Sequence, residues 1–241
     1  MTLMPLSAVL FFEGVLAALE DHKRHQRDTE MNNTKTTVVK KNGAMVEMCW
    51  ANVEVGDIVK VKNYECIPAD LLLLRSSIED SGGKECYVET KSLDGETNLK
   101  MKIAKRDTAH PIGKLGLQEG VRRIVNVQCD EPTHESASTS IEYFMGMVTT
   151  VNDDGKAVRE PLEMQNILLR GCVLRNTNWV YGLVVHTGKD TKIQMANVSS
   201  GEMKLSSIDK EINLVLKWVL FGRAGGVVGG RGRGAREKEE D

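Results

Sequence analysis

Two carboxylates stand one glycine apart in residues 92–100, which read S-L-D-G-E-T-N-L-K. Asp94 and Glu96 can accept hydrogen bonds or a proton, and Gly95 between them can enter conformations closed to other residues. One strand-like run precedes this stretch and another follows it, so the D-G pair predicts a β-turn joining them. Two readings stay open on these residues alone. The turn is either a solvated connection, or a device that aims one carboxylate at a target outside the chain.

Other conspicuous residues have simpler roles. Trp50, Trp179 and Tyr181 read as core or inter-sheet packing, and His186, inside a strand-like run, as structural. Pro68 and Asp70 are expected to fix a turn at residues 67–71. Arg170 and Arg175 are expected to alternate along one strand, where they could meet a partner domain. The cysteines, Cys49, Cys66, Cys86, Cys129 and Cys172, are five in number, far apart and without a C-x-x-C pair. That is neither a zinc pattern nor a disulfide framework, and it suits a reducing, cytosolic setting. Two glycosylation sequons, beginning at Asn32 and Asn197, would stay unused there.

The elements that must position the turn are mostly strands. Between residues 36 and 193, short runs such as T-T-V-V-K, A-D-L-L-L-L-R-S and W-V-Y-G-L-V-V-H-T-G are rich in β-branched residues. N-I-L-L-R-G-C-V-L-R-N reads as a further single strand. Val59 and Val61 alternate with charge, as on a half-buried strand, and Asn152-Asp153-Asp154-Gly155 predicts a hairpin turn. Many short strands with frequent turns point to an all-β sandwich or barrel.

The chain has 241 residues, 41% hydrophobic and 27% charged, an ordinary globular composition. Its net charge of -2 argues against a nucleic-acid binder. Residues 5–28 predict a helix whose apolar part is interrupted by Glu13, followed by Lys23, Arg24 and Arg27. Residues 204–221 predict a second helix, with an apolar patch at 212–221. Both patches are shorter than the about 20 apolar residues of a membrane span. They read as partial membrane-helix stubs bracketing a cytosolic insert. Amphipathic helices packed on the domain itself are the alternative. Residues 222–241, glycine- and arginine-rich and then acidic, cannot bury a core and are expected to be disordered.

Three stretches in order then resemble the actuator domain of a P-type ATPase: residues 55–74 (V-G-D-I-V-K-V-K-N-Y-E-C-I-P-A-D-L-L-L-L), residues 94–100 (D-G-E-T-N-L-K) and residues 168–193. The second and third are similar to the type IV branch, the phospholipid flippases. The similarity runs from about residue 1 to 221.

This resemblance implies a mainly β fold, a distorted, jelly-roll-like β-sandwich with flanking helices. It divides the chain into a membrane-helix end and linker at 1–28, an actuator domain at 29–200, a linker helix at 201–221 and the tail at 222–241. In such pumps an aspartate of another domain is phosphorylated by ATP, and the acyl phosphate is later hydrolysed. By resemblance Glu96 orients or deprotonates the attacking water, and Gly95 lets the backbone approach the phosphate. Asp94 and Thr97 would hold the turn, and Thr97 or Asn98 would reach phosphate oxygens. Mg²⁺ and ATP belong to the complete pump and not to sites in this chain. The implied partners are the phosphorylation and nucleotide-binding domains, membrane phospholipid and an accessory subunit, with no nucleic acid. The protein would be integral to a membrane, with this domain on its cytosolic side. The sequence has no D-K-T-G-T phosphorylation motif and no Walker A motif. This chain alone is therefore expected neither to hydrolyse ATP nor to carry lipid. The alternative is a catalytically incomplete fragment that binds and regulates a full-length flippase.

Overall fold

The computed structural model describes residues 3–40, 42–129 and 143–199. The helix expected at 204–221 and the tail at 222–241 lie outside them. The chain opens with α1 (Leu3–Asn32), in which every side chain from residue 11 onward is exposed. Phe11 and Phe12 are 74% and 63% exposed. From residue 11 onward the helix therefore does not bury its apolar residues on the domain, which removes that alternative for this part of the segment. No helix among the described residues is long and apolar enough to cross a membrane.

The strands follow as β1 (Lys35–Val39), β2 (Met45–Cys49), β3 (Ile58–Lys62), β4 (Asp70–Ser76) and β5 (Glu85–Glu89). One helical turn, α2 (Lys91–Asp94), leads into β6 (Leu99–Ile103). Helices α3 (Arg106–Leu115) and α4 (Leu117–Arg122) precede β7 (Ile124–Cys129), β8 (Met145–Val151) and β9 (Ala157–Glu163). The chain continues through β10 (Ile167–Leu168), β11 (Val173–Arg175), β12 (Trp179–His186) and α5 (Lys192–Ser199).

These strands form a six-stranded sheet in the order β10-β4-β12-β3-β1-β2 and two three-stranded sheets, β11-β5-β6 and β7-β8-β9. All pairings are antiparallel. The fold is mainly β, a distorted sandwich, as the sequence led us to expect. The hairpins at Asn42-Gly43 and at 152–155 form where turn chemistry places them. Val59 and Val61 are buried while Lys62 is exposed, the alternation expected of β3.

β4 is the centre of the core. Leu71, Leu72, Leu73 and Leu74 are all fully buried, so this strand is covered on both faces. Each such leucine contributes about 1.5–3 kcal/mol of burial. Its neighbours in one continuous cluster come from all three sheets: Val59 and Val180 from the large sheet, Val88 and Leu174 from the second, Val148 and Leu162 from the third. Cys86 and Cys172 lie in the same cluster, where burial pushes their thiols up to about 12 and keeps them protonated.

Three expectations require correction. The run at 166–176 is not one strand: β10 and β11 belong to different sheets, separated by Gly171 at φ 83°. Trp50, Trp179 and Tyr181 are only half-buried, and Lys60 Nζ lies 5.7 and 5.6 Å from the Trp179 and Tyr181 ring centres. Tyr181 still packs against the core cluster, and Lys60 caps it and Trp179 on the sheet surface. Helices α3 and α4 were not foreseen, and Pro111, Gly113, Gly116 and Gly120 are residues that ordinarily break helices. Yet Thr108, Ala109 and Ile112 bury one face of α3, and a Cβ on Gly120 would lie 2.6 Å from the Ile112 backbone. The glycine is there for the close approach of the two helices.

Candidate catalytic turn

β5 and β6 pair antiparallel from Glu85↔Ile103 to Glu89↔Leu99, so residues 90–98 are the connection of a hairpin. The connection is longer than the tight β-turn expected from D-G. It begins with the single helical turn α2, and Gly95 at φ 76° ends that turn, donating its N–H to the Lys91 carbonyl at 3.1 Å. A side chain at this left-handed position would be strained.

Asp94 is held from three sides. Thr90 Oγ1 donates to its carboxylate at 2.8 Å, the Glu96 backbone N–H donates at 2.9 Å, and Lys100 Nζ donates at 2.6 Å. The Lys100 hydrogen bond is the strongest of these influences, followed by that from the Glu96 backbone. Together they hold the Asp94 carboxyl down at about 2. Lys100 also lies 3.1 Å from Glu96 Oε2, and its two carboxylate partners raise its own pKa above the ordinary lysine value. Asp94 is thus a structural anion. Glu96 projects from the same turn with its side chain 57% exposed, and Lys100 is the cation beside it. Thr97 and Asn98 are exposed.

The three sequence stretches that are far apart in the chain meet here. Ser92 Oγ donates to the Gly171 carbonyl at 2.9 Å, tying the turn to the loop between β10 and β11. That loop is tied in turn to the segment before β4: Gly171 N–H donates to the Ile67 carbonyl at 2.9 Å, and Ile67 N–H to the Cys172 carbonyl at 2.9 Å. Leu93 packs against the core cluster and seats the helical turn.

Asp70 is not part of a turn at 67–71, as expected, but the first residue of β4, paired with His186 of β12. Its fully buried carboxylate accepts the backbone N–H of Arg170 at 2.9 Å and that of Lys192 at 2.7 Å, joining β4 to the start of α5. Burial outweighs these bonds and raises its pKa. His186 Nδ1 lies 3.9 Å from the same carboxylate, and its ring meets Phe144 edge-on. Arg170 and Arg175 do not alternate along one strand. Arg170 reaches the Gly188 carbonyl at 3.3 Å, and Arg175 pairs with Glu89 at 2.7 Å.

Thr90 and Lys100 are the residues that sequence reasoning missed. Both lie in or beside the motif, and the signal that could have found them is the spacing T-x-x-x-D-G-E-x-x-x-K, which sets each four residues from a carboxylate. Among the described residues, no three His, Cys, Asp or Glu side chains converge to hold a cation.

Comparison with known proteins agrees with this architecture. The family model of the P-type ATPase actuator domain matches residues 30–199. The chain is 39% identical over 220 residues to phospholipid-transporting ATPase FetA of Mus musculus, covering 91% of this chain and 17% of that protein. It is 40% identical over 220 residues to phospholipid-transporting ATPase ID of Homo sapiens, covering 90% of this chain and 16% of that one. It is also 40% identical over 220 residues to phospholipid-transporting ATPase 10 of Arabidopsis thaliana, with 91% and 17% covered. The chain thus spans about one sixth of the length of these relatives. On the family match and these identities, the chain belongs to the P-type ATPase family, as an actuator domain of the type IV, phospholipid-transporting branch.

Proposed function

We propose that this chain is the actuator portion of a phospholipid-translocating P-type ATPase, promoting hydrolysis of an aspartyl phosphate formed on another domain and coupling it to lipid flipping. The observation that carries the proposal is the division of labour in the turn. Asp94 is occupied by Thr90, Lys100 and the Glu96 backbone, and Glu96 is the exposed carboxylate. In the hydrolytic step the oxygen of a water bonds to phosphorus as the acyl-phosphate P–O bond breaks. The aspartate carboxylate leaves, and Glu96 accepts the water's proton.

A carboxylate repels a phosphate, so Glu96 should approach only when dephosphorylation is due. Lys100 beside it reduces that repulsion. Mounting the turn on a separate rigid domain that rotates supplies this timing, and the helices flanking residues 29–200 would pass the rotation to membrane helices. ATP and Mg²⁺ would be held by the phosphorylation and nucleotide-binding domains. The domain would lie on the cytosolic side of the membrane, with phospholipid as cargo and an accessory subunit as a further partner.

In a full-length pump carrying this domain, Glu96→Gln should leave phosphorylation by ATP intact and raise the steady-state phosphoenzyme. Lipid-stimulated turnover should fall by about 10²–10⁴-fold. Unchanged turnover would remove Glu96 from the role.

A further inference from the structure

A groove of about 440 Å³ opens between the β4–β5 connection and α3, with Gly82 and Gly113 in its lining. Its other lining residues are Arg75, Lys84, Arg106, His110 and Lys114. Arg106, His110 and Lys114 follow one another at four-residue spacing, so they form one stripe along α3, and all three are exposed.

Arg75 is different: its side chain is only 15% exposed. Its Nη1 donates to the Gly82 carbonyl at 3.2 Å and the Ala109 carbonyl at 3.3 Å, and its Nη2 lies 3.5 Å from Glu79. Glycines make room for it. A Cβ on Gly83 would lie 2.8 Å from Arg75 Cζ, and one on Gly113 would overlap the guanidinium. A guanidinium has five N–H donors in a fixed plane, so donors remain beyond those engaged here.

The lining holds Arg75, Lys84, Arg106 and Lys114 and no carboxylate, although Asp80 and Asp107 belong to the bordering elements. Glu79 faces Arg75. Asp153 is shared between Lys114, at 3.8 Å, and Arg123. Lys84 and Arg106 form no ion pair among the described residues. Uncompensated like charges around one concavity repel one another and attract a multivalent anion.

We propose that this groove binds a phosphate-bearing anion, with Arg75 as the fixed donor at its base and Lys84, Arg106 and Lys114 closing on it. Soluble pyrophosphate and the phosphate-monoester headgroup of a lipid share this chemistry. The test uses the full chain in two arms: calorimetric titration with pyrophosphate, and flotation with phosphatidylcholine vesicles containing phosphatidic acid. Lys84→Gln with Arg106→Gln should weaken binding in at least one arm by about tenfold or more, the loss of a charge-assisted contact. Arg106→Gln alone, at an exposed helix position, should shift binding in the same direction. Lys35→Gln, on β1, should change nothing. Loss confined to the pyrophosphate arm assigns the groove to a soluble anion, and loss confined to vesicle retention assigns it to a headgroup. The proposal is overturned if neither probe binds, or if the double variant binds both as the parent does.

Discussion

At the scale of single residues, the two carboxylates of the turn differ in their partners: Asp94 is held by Thr90, Lys100 and the Glu96 backbone, whereas the more exposed Glu96 side chain pairs with Lys100. Since Asp94 is held at about 2, below the ordinary aspartate value of about 3.9, its ionised form stabilises the folded turn. That contribution is fully present above about pH 4 and is lost as pH falls through about 2. Carboxyl-carbon NMR of Asp94 should therefore show a midpoint near 2. In Lys100→Met, which removes the leading cause, the midpoint should rise toward 3.9. An unchanged midpoint in that variant would show that Lys100 does not hold the carboxylate.

Asp70 gives a second prediction at this scale. Asn offers one acceptor oxygen where the carboxylate offers two, so Asp70→Asn leaves the N–H of Arg170 or Lys192 without its acceptor. The expected loss in denaturant unfolding is about 1–3 kcal/mol. The turn carboxylates were legible in the sequence because D-G-E is a local signal. The buried bond from Asp70 to Lys192 was not, because it joins residues brought together only by folding.

At the scale of elements, the large sheet depends on the contact between β4 and β12. Gly182 sits where β12 shifts register against β4, and a Cβ there would lie 2.7 Å from the Leu71 Cβ. Leu71 is fully buried and cannot withdraw. Gly182→Ala should destabilise the domain by about 1–3 kcal/mol through overpacking, measurable as a lower urea midpoint. A neutral result would mean that the strands separate at little cost. Most strands were legible from β-branched runs between turn residues. The division of residues 166–176 into β10 and β11 was not, because the whole run is apolar enough for one strand and only tertiary pairing sends its halves to different sheets. α3 was hidden by Pro111, although its R-x-x-x-H-x-x-x-K spacing carried the helical period.

At the scale of the molecule, one core serves all three sheets, so the described domain should unfold as a unit. Leu73→Ala, at a fully buried site of β4, should cost about 2–5 kcal/mol. Hydrogen exchange should then show β3, β5 and β8 losing protection together. Protection lost in β3 alone would mean that the sheets are independent. On the proposed function, such a unit would carry Glu96 to a phosphate on another domain without deforming.

The most direct test of that account is a pulse-chase of the phosphoenzyme in a full-length pump bearing this domain. Glu96→Gln should form phosphoenzyme at the parental rate and then release phosphate about a hundredfold more slowly or worse. Decay at the parental rate would contradict the assignment of Glu96 and, with it, the role given to the turn.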